Sequence, residues 1–178
     1  LVLAAWAEVL SRRSGQDELL IGVPADVRGG PDYERTIGLF VNTLSVRLRA
    51  GGGRSVTERL AATRDALILA LTHRRIPLGW IAQDLLKDRD LCRPTLVQYA
   101  LSILPDAASN PRLGDAEPER VIVPQASRFE MALYFYPEAG GARLALEYRS
   151  ALFDAGTAAA ITRDVTQTLE RYCLGGCD

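Results

Sequence analysis

Apolar residues occupy nearly every position from Leu1 to Leu10, and Arg12 and Arg13 follow. This predicts a helix over residues 1–13, covered on most sides and ending in cations that suit its C-terminal dipole. Ser14-Gly15 stops it. Glu18 to Val23 reads as a short apolar strand closed by Pro24. Asp26 to Thr36, with Gly29-Gly30-Pro31, reads as a loop. Residues 37–49 are the longest strand candidate. Phe40, Asn42, Leu44, Val46 and Leu48 share one face, and Thr43, Ser45, Arg47 and Arg49 the other. Asn42 is the single amide in an otherwise apolar row.

Gly51-Gly52-Gly53 ends that strand, and Ser55-Val56-Thr57-Glu58 has the form of a capping box. The helix it opens carries Val56, Leu60, Leu67, Ile68 and Leu71 at helical spacing and ends near His73-Arg74-Arg75, before Pro77. Leu67, Ile68 and Leu71 are expected to meet Phe40, Leu44, Val46 and Leu48 in the core. A shorter helix is predicted from Leu78 to Leu86, with Trp80, Ile81, Leu85 and Leu86 apolar.

Alternation predicts further strands at Leu96–Leu104, around Phe129–Phe135, and at Leu144–Tyr148, the last two joined by a turn at Pro137–Gly141. Asp154 is placed to cap a final helix with the stripe Ala158, Ile161, Val165, Leu169 and Tyr172. The order of elements predicts one α/β domain over residues 1–178: a two-layer sandwich, a mixed β-sheet with helices mainly on one face. Residues 105–120, rich in Pro, Asp, Ala, Ser and Asn, are expected to form a mobile arm, and residues 174–178 a frayed tail.

With 178 residues, 48% hydrophobic and 24% charged, the chain has globular values. A formal charge of -1 gives no support to nucleic-acid or membrane-surface electrostatics. No apolar run reaches the roughly 18 residues of a membrane span. One histidine rules out any site needing two. Cys92, Cys173 and Cys177 are an odd set with no second Cys or His pair nearby, so we expect ordinary thiols in a reducing cytoplasm and no metal. The chain opens at Leu1 inside a helix-like run and reads as a piece of something longer.

Gly51-Gly52-Gly53-Arg54-Ser55 lacks the Lys and spacing of a phosphate loop, and no Gly-x-Ser-x-Gly elbow is present. Three stretches carry a specific signal. Ile37 to Leu44 followed by Arg47 resembles the "IGxFVNT…R" motif of nonribosomal peptide synthetase condensation domains. His73-Arg74-Arg75-Ile76-Pro77-Leu78 resembles that family's "HQDxPF", and Arg89 to Leu96 its "RDxSRxPL". Their order and gaps match the family, and the flanking segments extend the resemblance over essentially the whole chain.

The resemblance implies a chloramphenicol-acetyltransferase-like half-domain, the C-terminal lobe of a two-lobed domain. The family's catalytic "HHxxxDG" belongs to the other lobe and has no counterpart here, so His73 is not carried over as a base and no catalytic residue is assigned. His73 also fits a cation at a helix C-terminus. Asn42 is read in two ways: lining a channel at the lobe interface, as the resemblance implies, or a satisfied polar group at the sheet end. Residues 105–120 resemble the family's latch. Cys92, where the family has Ser, is read as a similar-sized replacement rather than a nucleophile.

The implied function is a non-catalytic partial condensation domain that docks a peptidyl or aminoacyl carrier protein, within reach of neighbouring synthetase domains. The chain itself binds no cofactor; the phosphopantetheine arm belongs to the partner. Carrier proteins present an acidic, partly apolar helix, so Arg12, Arg13, Arg74, Arg75 and Trp80 are the candidate docking residues. The alternative is the C-terminal half of an active, amide-forming domain completed by its other lobe.

Overall fold

A computed structural model describes residues 1–85, 96–104, 128–138 and 140–174. Helix α1 (Val2–Ser14) leads into strand β1 (Glu18–Asp26), a single 3-10 turn (Pro31–Tyr33) and strand β2 (Val41–Arg49). Helices α2 (Val56–Thr72) and α3 (Leu78–Leu85) follow, then β3 (Tyr99–Ile103), β4 (Met131–Glu138), β5 (Gly141–Tyr148) and α4 (Ala155–Leu174). The arm expected at 105–120, Cys92, Cys177 and tail residues 175–178 lie outside the described residues; Leu174 is the last residue of α4.

The five strands lie in the order β2-β1-β3-β4-β5. β1 runs parallel to β3, and β3 to β4, while the two outer pairs are antiparallel. This is the mixed sheet that the alternation predicted. Register places Val46, Ile21, Tyr99, Met131 and Tyr148 in one row across the sheet. Leu101, Leu133 and Leu146 form the next row on the same face. Trp6 and Val9 of α1 and Ile161 and Val165 of α4 pack into that face, and Leu67 and Leu71 of α2 join it half-buried. The buried stripe of α1 is nearly continuous, which explains why its sequence is apolar on most sides.

Local signals behave as their chemistry requires. Gly15 ends α1 in the left-handed conformation at φ 71, where a side chain would be strained, and its N–H caps Ser11 O. Ser55 and Glu58 complete the capping box reciprocally. Asp154 accepts the Thr157 N–H at 2.8 Å at the start of α4.

Five expectations are corrected. β1 does not stop at Pro24 but continues to Asp26. β3 pairs with β1 only at Ile21 and Gly22, so Pro24 lies past that contact, where a missing N–H leaves no ladder bond open on that side. β2 begins at Val41, not at residue 37, and Ile37 and Leu39 are fully exposed at 101% and 91%. Phe40 leaves the core row and lies beneath the Arg28 guanidinium, 4.6 Å from the ring centre. Ile68 points outward at 55% exposure, because α2 covers the sheet with only part of its apolar surface and buries no residue completely. β3 is also shorter than the alternation suggested, beginning at Tyr99.

Candidate partner-docking surface

Asn42 organises this region. It sits in β2 beside Ala25, on the helix-facing row. Its Nδ2 donates to the carbonyl of Arg74 at 2.9 Å and to that of Ile76 at 2.7 Å. Its Oδ1 faces the N–H of Leu78 at 3.5 Å, the outer limit of a hydrogen bond. A side chain with both donors and an acceptor is needed here, because the turn between α2 and α3 offers carbonyls and an N–H together. The amide thus ties the end of α2 and the start of α3 to the edge of the sheet. Of the two sequence readings, the satisfied polar group describes these bonds.

The tie positions the other residues. His73 caps α2, its N–H reaching the carbonyls of Ala70 and Leu71. Its ring borders a cleft of ≈ 240 Å³ with Thr43, Ser45, Leu69, Ile76 and Ile81. Among the described residues no hydrogen bond joins this imidazole to a carboxylate, so the arrangement of a general base held by an acid is not built around it. Arg74 and Arg75 follow on the turn, both exposed. Trp80 lies one turn into α3 at 66% exposure.

A second knot faces Arg74. Arg28 pairs with Asp26 at 3.1 Å, its backbone N–H donates to the same carboxylate at 2.8 Å, and its Nε donates to the Tyr33 carbonyl at 3.2 Å. The backbone N–H of Arg28, then its guanidinium, with the nearby charge of Arg74, hold the Asp26 carboxyl below the usual carboxylate range. Asp26 and Val41 face each other at the last rung of the β1–β2 ladder. The parallel strands β1 and β3 end on this side of the sheet, and open α/β sheets bind their ligands beyond the carboxyl ends of such strands. Exposed apolar side chains gather there: Ile37, Leu39, Val41 and Ile103.

The other two candidates are held elsewhere. Arg12 and Arg13 both pair with Asp164 of α4, at 3.3 and 2.8 Å. They clasp two helices together, and no described contact joins them to Arg74 or Arg75. The sequence reading also missed Glu8. Its carboxylate accepts the Tyr172 hydroxyl at 2.6 Å, pairs with Arg171, and faces Arg59 at 3.6 Å, linking α1, α2 and α4. Burial alone would raise the Glu8 carboxyl, but the bonds from Tyr172 and Arg171 and the charges of Arg171 and Arg59 outweigh it and hold it low. The available signal was a lone acid inside the apolar run of α1.

Among the described residues no group of three or more His, Cys, Asp or Glu is placed to hold a metal, and no described helix is long and apolar enough to cross a membrane. Cations beside an exposed indole and an apolar strand end make a surface suited to binding a macromolecule.

The profile of a known family, described as a condensation domain, matches residues 1–175. Malpinin synthetase of Mortierella alpina is 33% identical over 162 residues, covering 88% of this chain and 2% of that protein. Surfactin synthase subunit 1 of Bacillus subtilis (strain 168) is 27% identical over 173 residues, covering 95% of this chain and 5% of that protein. The X-domain from teicoplanin biosynthesis superposes with a TM-score of 0.82 at 26% identity, covering 96% of this chain and 40% of that one. The condensation domain of the monacolin K polyketide synthase MokA has the same fold, with a TM-score of 0.81 at 20% identity, again spanning 40% of that chain.

Proposed function

The chain belongs to the condensation-domain family, and from that premise we propose that it is a C-terminal lobe acting as a cytoplasmic, non-catalytic docking unit for a carrier protein. The partner brings an acyl or aminoacyl group on its phosphopantetheine arm, and this chain binds no cofactor of its own. The observation that carries the reading is the Asn42 tie. It ties the turn that carries Arg74 and Arg75, and the start of α3 that carries Trp80, to the sheet edge, presenting two cations and a large apolar face. Arg12 and Arg13 are set aside from this surface, since Asp164 occupies them.

Two further points support recruitment without catalysis. The histidine of this chain caps the α2 terminus, and among the described residues no carboxylate is bonded to its imidazole. The X-domain of teicoplanin biosynthesis, 26% identical, is known in a complex with OxyB, so a protein of this architecture takes part in a protein–protein complex. In the native setting the partners are carrier proteins and neighbouring synthetase domains. The test is chemical-shift mapping with unloaded, holo and acyl-loaded carrier protein. Shifts centred on residues 73–80 are expected; a carrier that leaves all resonances unmoved overturns the proposal.

A second reading, the C-terminal half of an amide-forming domain, is favoured by one observation. Ile37 and Leu39 stand fully exposed just before β2, and Val41 and Ile103 are exposed as well, apolar surface that a complementary lobe would cover. Amide product between two loaded carriers, formed only when an N-terminal lobe is added, would establish it.

A further inference from the structure

The two outer strands of the sheet are treated differently. β2 is guarded: α3 and the α2–α3 turn lie against it, and its Arg47 and Arg49 are bonded to Glu18. β5 is not. Among the described residues nothing pairs with its outer edge, and Gly141–Tyr148 contains no proline, no lysine and no interruption of its register with β4. An eight-residue strand of this kind is a template for another strand unless something covers it.

The order of side chains along β5 says what fits. Arg143, Ala145 and Glu147 share the face turned away from the helices, and Leu144 and Leu146 the helix face. The pattern is self-complementary about Ala145. We propose that β5 pairs antiparallel with β5 of a second copy of this chain, about a two-fold axis passing through Ala145. Arg143 then stands opposite the second copy's Glu147, Leu144 opposite its Leu146, and each contact occurs twice, as an isologous interface demands. An axis perpendicular to the sheet keeps the faces matched, so the register moves only in steps of the axis by one residue. With the axis at Leu144, Arg143 meets Ala145; with it at Leu146, Arg143 meets Arg149. Of these three axes, only the one at Ala145 sets opposite charges against each other, and both partners lie within the strand, which is the favourable cross-strand arrangement.

In the single chain these side chains lie on the face turned away from the helices. Arg143 Nε donates to Glu138 at 3.1 Å, and its guanidinium lies 3.9 Å from the centre of the Tyr136 ring. Glu147 Oε2 accepts the Tyr134 hydroxyl at 3.2 Å. Both side chains thus reach back across β4, and pairing with a second copy would turn them to the outer edge, where no described bond engages the Arg143 Nη atoms or Glu147 Oε1. On the helix face, a groove of ≈ 930 Å³ runs between α4 and β5, bordered by Phe135, Leu144 and Leu169. The same axis brings a second α4 across that groove, so apolar surface is covered on the face where the leucines meet.

The test is a charge exchange read by sedimentation equilibrium of the full chain over a concentration series. The native chain is expected to be a reversible dimer. Arg143→Glu and Glu147→Arg each place like charges opposite one another at two symmetric contacts, and each should weaken self-association roughly tenfold or more. Mixing the two variants restores both pairs, so the mixture should dimerise as the native chain does. Recovery in the mixture cannot come from misfolded variants, which keeps the result readable. A native chain that stays monomeric, or a dimer that survives both single exchanges, overturns the proposal. The latter outcome would place self-association on the apolar strand end instead.

Discussion

The hydroxyl of Tyr172 donates to the Glu8 carboxylate at 2.6 Å, joining the last helix to the first across 164 positions of sequence. Burial, then the bond to Glu8, pushes the Tyr172 phenol well above its ordinary range. The pair is thus held as neutral phenol and carboxylate. Glu8 titrates below the ordinary glutamate value of 4.5, so its contribution is present above that pH and is lost as pH falls through the lowered folded value. Tyr172 has the opposite sense: its contribution is present below its ordinary value of 10.0 and fades as pH rises beyond it.

Glu8→Gln is therefore expected to destabilise the chain at neutral pH and to flatten the acid limb of its stability profile. Thermal melts from pH 3 to 7 check this. A variant whose acid limb keeps the native slope would remove Glu8 from the clasp. Tyr172→Phe should cost about 1–3 kcal/mol, since a half-buried carboxylate then loses its hydroxyl donor.

The core expectation separates the sheet from α2. Leu133, fully buried in β4, should cost about 2–5 kcal/mol on truncation to Ala. Leu67 of α2 is only half-buried, so Leu67→Ala should fall below that range. Urea denaturation of both variants gives the comparison, and equal losses would mean that α2 is covered more deeply than described.

Asn42→Ala leaves the carbonyls of Arg74 and Ile76 without their donor and should loosen the turn between α2 and α3. Amide exchange at Trp80 and Ile81 should quicken while exchange at Met131 and Leu133 holds. Asn42→Asp should be worse, since a carboxylate would face two carbonyls. Protection at Trp80 unchanged in both variants would show that the turn is held by packing alone.

For carrier binding, replacing Arg74 and Arg75 together by Glu should weaken affinity by about 1–3 kcal/mol, chiefly through slower association and with a reduced salt dependence. Removing Arg12 and Arg13 should leave affinity intact and cost at most about 1 kcal/mol of stability, because their partner is Asp164 at a partly exposed pair. Stopped-flow association at two salt concentrations separates the cases; equal losses from both pairs would move the docking surface.

Periodicity and capping chemistry made the architecture legible, since Ser55, Asp154 and Gly15 act within a few residues of themselves. The alternation in β4 and β5 is read out directly because Met131, Leu133, Leu144 and Leu146 all turn to the same core. What failed was apolar character without a core to enter. Ile37, Leu39 and Phe40 continue the apolar character of β2 in sequence, yet Ile37 and Leu39 stand exposed and Phe40 lies under Arg28 before the strand begins at Val41. Asn42 stood out as a polar residue in an apolar row, but its partners lie more than thirty positions away and no local rule points to them. Basic pairs at helix ends looked alike in sequence. Asp164 distinguishes them, and only tertiary packing brings it to Arg12 and Arg13.

The order of strands also sets how the chain must fold. β1 and β2 form a neighbouring pair, as do β4 and β5, and each can close early as a local hairpin or near-hairpin. The parallel seam of β3 joins these halves through contacts of large sequence separation, whose loop entropy is spent before they are rewarded. Folding should therefore be slow for a domain of this length and limited by formation of that seam. On a ribosome, the N-terminal half would wait with the inner edge of β1 open until β3 emerges to pair with it.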